Sequence, residues 1–104
     1  MKPIAQRTVI AVNKESQKRS EIVIEIFTPH SVDDGKNYFC LVNINGLEGE
    51  SYDVGGIDGL QALTLAVYKM KRRFQELRNE RYDFFWPEDN SPMDSFDYVP
   101  ENID

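Results

Sequence analysis

Apolar and polar residues alternate through the first half of the chain, and in the second half apolar residues return every three or four positions. A period of two puts successive side chains on opposite faces of a strand, and a period near 3.6 lays one stripe along a helix. Residues 7–13 (RTVIAVN) read as a first strand. Residues 21–28 (EIVIEIFT), dense in β-branched side chains, give the clearest strand, and Pro29 ends it because proline has no N–H for the ladder. An Asp34-Gly35 turn leads to a third strand at 37–45 (NYFCLVNIN), and a turn at 46–49 leads to a short fourth at 51–54. Connections this short favour an antiparallel meander.

Gly55-Gly56 ends the alternation. Asp58 suits a helix N-cap with Gln61 three residues on, a capping-box spacing in which Asp58 replaces Ser or Thr. Leu60, Leu63, Val67, Met70, Phe74 and Leu77 follow at alternating spacings of three and four. They predict a helix from about residue 59 to about residue 81, about 30 Å long, with this stripe on the sheet. The expected fold is therefore α+β: a roughly four-stranded, mostly antiparallel sheet with one long amphipathic helix across one face. A single domain is expected over residues 1–86. After the aromatic run Phe84-Phe85-Trp86, residues 87–104 read as an irregular, acidic, proline-containing tail.

Charge sharpens that division. The chain carries a net charge of −6, yet residues 1–81 hold all 12 Lys and Arg against 11 Asp and Glu. Residues 82–104 hold seven acidic residues and no Lys or Arg. A nearly neutral body argues against general attraction to nucleic acid or anionic lipid. No run approaches the roughly 20 apolar residues of a membrane helix, and the first residues lack the apolar core of a signal peptide. The single cysteine, Cys40, allows no internal disulfide, and a reducing, cytoplasmic setting is expected.

Candidate chemistry is sparse. Cys40, between Phe39 and Leu41, has no local cation or helix N-terminus to stabilise a thiolate and reads as a buried structural thiol. A Cys–His pair requires it to meet His30, the only histidine, across a hairpin loop. Zinc needs more Cys or His than the chain has. Asp33-Asp34-Gly35 lacks the alternating oxygen ligands of a calcium loop and reads as a turn. Gly55-Gly56-Ile57-Asp58-Gly59 matches neither phosphate-loop spacing, and Asp58 stands where an anion would sit. No metal or cofactor is expected, and the protein is not expected to be an enzyme; a catalytic site would have to be assembled from dispersed residues. The densest basic cluster is Lys69, Lys71, Arg72 and Arg73, with Tyr68 as a stacking candidate, and it carries the alternative of nucleic-acid binding. Its members spread over a wide arc of the helix, and Glu76 and Glu80 stand at pairing spacings, which favours a solvated face.

The strongest anomaly is surplus apolar surface. With the 60–77 stripe on the sheet, Leu65 points away from it, and Tyr68 lies near. Ile22, Ile24 and Ile26 share one face of the second strand, but Val23 and Phe27 lie on the other. Tyr38, Cys40, Val42 and Ile44 likewise oppose Phe39 and Leu41. One helix covers one face, and a half-solvated antiparallel sheet alternates more cleanly than this. Phe84, Phe85 and Trp86 either fold back over such a patch or anchor a partner. Leu65, Tyr68, Phe84, Phe85 and Trp86 are therefore the interface candidates. The expected partner is another protein, or a second copy meeting the sheet face opposite the helix.

The segment Gly56-Ile57-Asp58-Gly59-Leu60-Gln61-Ala62-Leu63 follows a sheet with Tyr38-Phe39-Cys40 and Gly46 and precedes Trp86. It resembles small bacterial domains of unknown function with a Gly-(Val/Ile)-Asp-x-Leu-Gln-Ala-Leu helix start, and the resemblance covers residues 37–86. It implies a bacterial protein with strands followed by a long helix, and it implies no activity. The leading expectation is a non-enzymatic interaction protein of adaptor or immunity type.

Overall fold

The computed structural model describes residues 2–47 and 50–93. Along the chain run β1 (Pro3–Asn13), β2 (Arg19–Phe27), β3 (His30–Val32), β4 (Asn37–Asn45), β5 (Glu50–Gly56), α1 (Gly59–Glu80) and β6 (Tyr82–Phe85). β1, β2, β4 and β5 form the expected antiparallel meander. The sheet has six strands rather than four.

Both additional strands have a local cause. β3 prolongs the line of β2 along β4 after a slip in register: Ile26 faces Val42, but His30 faces Phe39. Four residues advance on one strand while three advance on the other, which is a bulge around Thr28-Pro29. Proline therefore interrupts the strand at a place where the ladder has no use for its missing N–H, and does not end it. The Cys40 thiol donates to the Phe27 carbonyl across the same irregularity, at 3.3 Å. β6 follows the helix and pairs antiparallel with β1, Ala11 opposite Phe84. Across the sheet the order is β5, β4, β2 with β3, β1, β6.

The helix thus joins the two outermost strands. Its 22 residues extend about 33 Å, against about 19 Å between the edges of a five-strand width. Its N-terminus is fixed by Asp58, whose Oδ1 accepts from the Gln61 N–H at 2.8 Å. Gln61 Oε1 reaches back to the N–H of Ile57 at 2.8 Å, one residue upstream of the usual capping-box partner. At the C-terminus Lys14 Nζ donates to the Arg78 carbonyl at 2.6 Å, and the Lys14 N–H to the Arg81 carbonyl at 2.8 Å. The β1–β2 turn therefore holds the end where cations complement the helix dipole.

The core lies between α1 and one sheet face. Val9, Ile22, Ile24, Cys40, Val42 and Ile44 meet Ala62, Ala66, Met70, Phe74 and Leu77. Leu60 is not part of it and is 75% exposed. The contact seam is centred on Ala62 and Ala66, because the helix comes in very close at this end. A Cβ on Gly56 would stand 2.5 Å from the Ala62 nitrogen, a distance that only glycine allows. Small residues on both sides bring the backbones together and rotate Leu60 off the sheet.

Residues 87–93 are also more regular than the composition suggests. The Trp86 N–H donates to Ser91, and the Met93 N–H to Phe84, at 2.9 and 2.8 Å, with Phe85 bridged to Pro92. Asp89 Oδ1 accepts from the Ser91 N–H and hydroxyl, and these bonds hold its carboxyl below the usual range. The chain returns along β6, and Met93, 6% exposed, joins the core. Residues 94–104, the rest of the expected tail, lie outside the described residues.

Candidate functional site

A second stripe runs along α1 beside the one that faces the core. Leu65, Tyr68, Lys69, Arg72, Arg73 and Glu76 recur at steps of three and one, which places them along one side of the helix. That side faces β5, where alternation turns Glu50, Tyr52 and Val54 towards the helix and Ser51, Asp53 and Gly55 away from it. These two sets enclose a groove of about 630 Å³. β5 is an edge strand, since among the described residues it pairs with β4 alone.

The groove has a charged end and an apolar wall. Arg73 Nε and Nη2 lie 2.7 and 2.6 Å from Glu50 Oε1. The hydrogen bond to Glu50 raises the Arg73 guanidinium still further, against the opposing effect of burial. Burial, and after it the charge of and contact with Glu50, push the Tyr52 phenol up. Glu50 Oε2 is buried with no hydrogen-bond partner. Lys69 Nζ sits 5.0 Å from the centre of the Tyr52 ring, a cation–π arrangement. Leu65 and Tyr68 remain 41% and 58% exposed beside these charges.

Five of the residues singled out from sequence thus converge here: Leu65 and Tyr68 from the apolar set, and Lys69, Arg72 and Arg73 from the basic set. Lys71 lies outside the groove. Phe84, Phe85 and Trp86 lie at the far edge of the sheet on β6 and just after it. Phe84 is a core side chain, its ring 4.9 Å from that of Phe74, and so is no surface anchor. Trp86 packs on the same side with Arg7 5.1 Å above its ring, whereas Phe85 points to the opposite face. Glu50, Tyr52 and Val54 were not legible as groove residues. The spacing of the second helical stripe was visible, but nothing in the chain tied it to β5.

The sheet face opposite the helix is mixed. Ile10 and Phe27 are buried there, and Val23, Phe39, Leu41 and Phe85 are half-buried. Polar pairs cut across it: Asn45 Nδ2 donates to Glu25 Oε1 at 2.6 Å, and the Ser51 hydroxyl to Asn43 Oδ1 at 2.8 Å. His30 stacks against Phe39 on this face, while Cys40 is buried on the other, so the two cannot pair in catalysis. Burial, then the nearby Asp53 charge, raise the Cys40 thiol. Among the described residues no group of three or more His, Cys, Asp or Glu could hold a metal ion, and no helix is long and apolar enough to cross a membrane.

No curated protein and no solved structure matches the chain. A family described as a domain of unknown function, DUF6968, matches residues 5–93, from within β1 to the buried Met93. As the helix start at residues 56–63 suggested, the chain belongs to a family of domains of unknown function, DUF6968.

Proposed function

We propose that the protein is a non-enzymatic interaction module that docks a partner protein in the groove between α1 and β5. The observation that supports this reading is the meeting of exposed Leu65 and Tyr68 with Tyr52 and Val54, beside a strand edge that no described residue pairs. Exposed aromatic and aliphatic side chains ringed by charge have the composition of interface anchors. The charge pattern favours protein over nucleic acid. Glu50 engages Arg73, and Glu76 adds a second carboxylate, so the groove lacks the uniform positive field that suits a phosphate backbone. Support for catalysis is weak, since Glu50 is tied to Arg73 and neither Cys40 nor His30 reaches the groove.

A photo-crosslinking residue at position 68 tests this in host lysate. The expected product is a stoichiometric protein adduct that persists at about 0.5 M salt, where surface charge is screened, and that disappears in Leu65→Asp. Nucleic acid recovered only at low salt would transfer the function to the basic side chains, and no groove-dependent adduct would remove the reading. A second copy over the open sheet face is the other reading, supported by the half-buried Val23, Phe39 and Leu41. Sedimentation decides it: a monomer at every concentration rules it out.

A further inference from the structure

We infer that the occupant of the groove is an extended, acidic segment of a partner protein, added to β5 as a new strand. This rests on the groove reading above and specifies its ligand. The backbone supplies the first reason. β5 pairs with β4 over its whole length, from Tyr38↔Gly56 to Ile44↔Glu50, and among the described residues no strand occupies its other side. Alternate N–H and C=O groups on that side point outward, and an incoming strand satisfies them.

Side chains supply the second. A strand laid against β5 turns every other residue towards α1. There it meets Leu65 and Tyr68, which take an apolar side chain, and Lys69 and Arg72. Arg73 is already neutralised by Glu50. Lys69 and Arg72 form no ion pair among the described residues and are the cations left for a ligand carboxylate. Complementary charge of this kind selects the partner as well as speeding its approach.

The same charges argue against a second copy in the groove. A two-fold pairing of β5 edges sets the two helical stripes antiparallel, and the self-complementarity such an interface needs is missing. Lys69 and Arg72 stand in the middle of the stripe, so each copy would present cations to cations. An acidic strand meets them with the opposite sign.

Selection of random decapeptides displayed against the full chain, counter-selected on Lys69→Glu/Arg72→Glu, tests the inference. The enriched peptides are expected to be rich in Asp and Glu, with apolar residues at alternate positions. Their affinity should fall about tenfold in the charge-reversed variant. Hydrogen exchange of the Glu50–Gly56 amides should slow when they bind. Neutral or basic winners, no enrichment over the variant, or binding that leaves those amides unprotected would each overturn it. If the crosslinker at position 68 still captures a groove-dependent protein, only the acidic-strand inference falls; if that capture fails too, the groove reading falls with it.

Discussion

At the β6 edge the chain turns back on itself, and Pro92 and Met93 lie along the strand. At the β5 edge no described residue does so, and the helix stands alongside with a mixed apolar and cationic wall. Both edges are equally able to offer backbone groups to a passing strand, and proteins normally blunt such edges. Here one is covered by a short return carrying two prolines and a buried methionine, whereas the other is bordered by charge. Covering an edge contributes stability through the core side chains that come with it. Leaving one open contributes none, so the two edges should respond very differently to mutation.

Removing the anchor of the covered edge should have the largest effect. Phe84→Ala takes away a buried ring in contact with Phe74, at a cost of about 3–5 kcal/mol in urea unfolding. Tyr68→Ala at the open edge should change stability by no more than about 0.5 kcal/mol. If the two variants unfold alike, the groove side chains are part of the core and the contrast fails. Met93→Ala should follow at about 2 kcal/mol, the low end for a buried methionine because the site lies at the rim of the core. A loss near zero would mean that the return along β6 adds no packing.

Gly56→Ala probes the junction of the open edge with the helix. The new methyl meets the Ala62 backbone at 2.5 Å, so the helix start must move away from β5, at about 1–3 kcal/mol. Calorimetry measures the loss, and exchange of the first α1 amides should quicken with it. Arg73→Met comes next. It strips the one ion-pair partner that Glu50, a mostly buried carboxylate, has among the described residues, which costs about 1–2 kcal/mol, while Arg72→Met should be neutral within about 0.5 kcal/mol. Equal effects of the two would show that Glu50 is not held where its contact with Arg73 puts it.

The covered edge was the harder one to see in the sequence. β6 is four residues, three of them aromatic, and so short a run shows neither a period of two nor one of 3.6. The return along it is written in Pro, Asp, Asn and Ser, the composition of a loop, and its one packing residue, Met93, stands alone. β1, β2, β4 and β5 were legible because half-buried strands must alternate. Leu60 was misplaced for the opposite reason. Counting large apolar residues finds the stripe but not its centre, which lies on Ala62 and Ala66, where helix and sheet are closest. Half of the groove was present as a spacing on α1. The other half was not, because Glu50 and Arg73 are 23 residues apart and only the packing of α1 on β5 joins them.

The smallest effect expected is one of pH, and at the two edges it belongs to the open one. Burial first, then the Glu50 charge, raise the Tyr52 phenol above its ordinary value of 10.0, so the folded chain holds this proton more tightly than the unfolded chain does. Well below pH 10.0 both states carry the proton and stability does not depend on it. As pH rises past 10.0 the unfolded state releases its proton first, so stability falls until the folded phenol ionises as well. Cys40 adds a decline of the same sign beginning near 9.0. Tyr52→Phe should therefore lose stability less steeply above pH 10.0 than the parent chain, as read from urea midpoints. Met93→Ala, at the other edge, should lower the whole profile without changing its alkaline slope. A Tyr52→Phe profile that falls as steeply as the parent's would mean that the phenol does not feel Glu50, and the charged end of the groove would have to be redrawn.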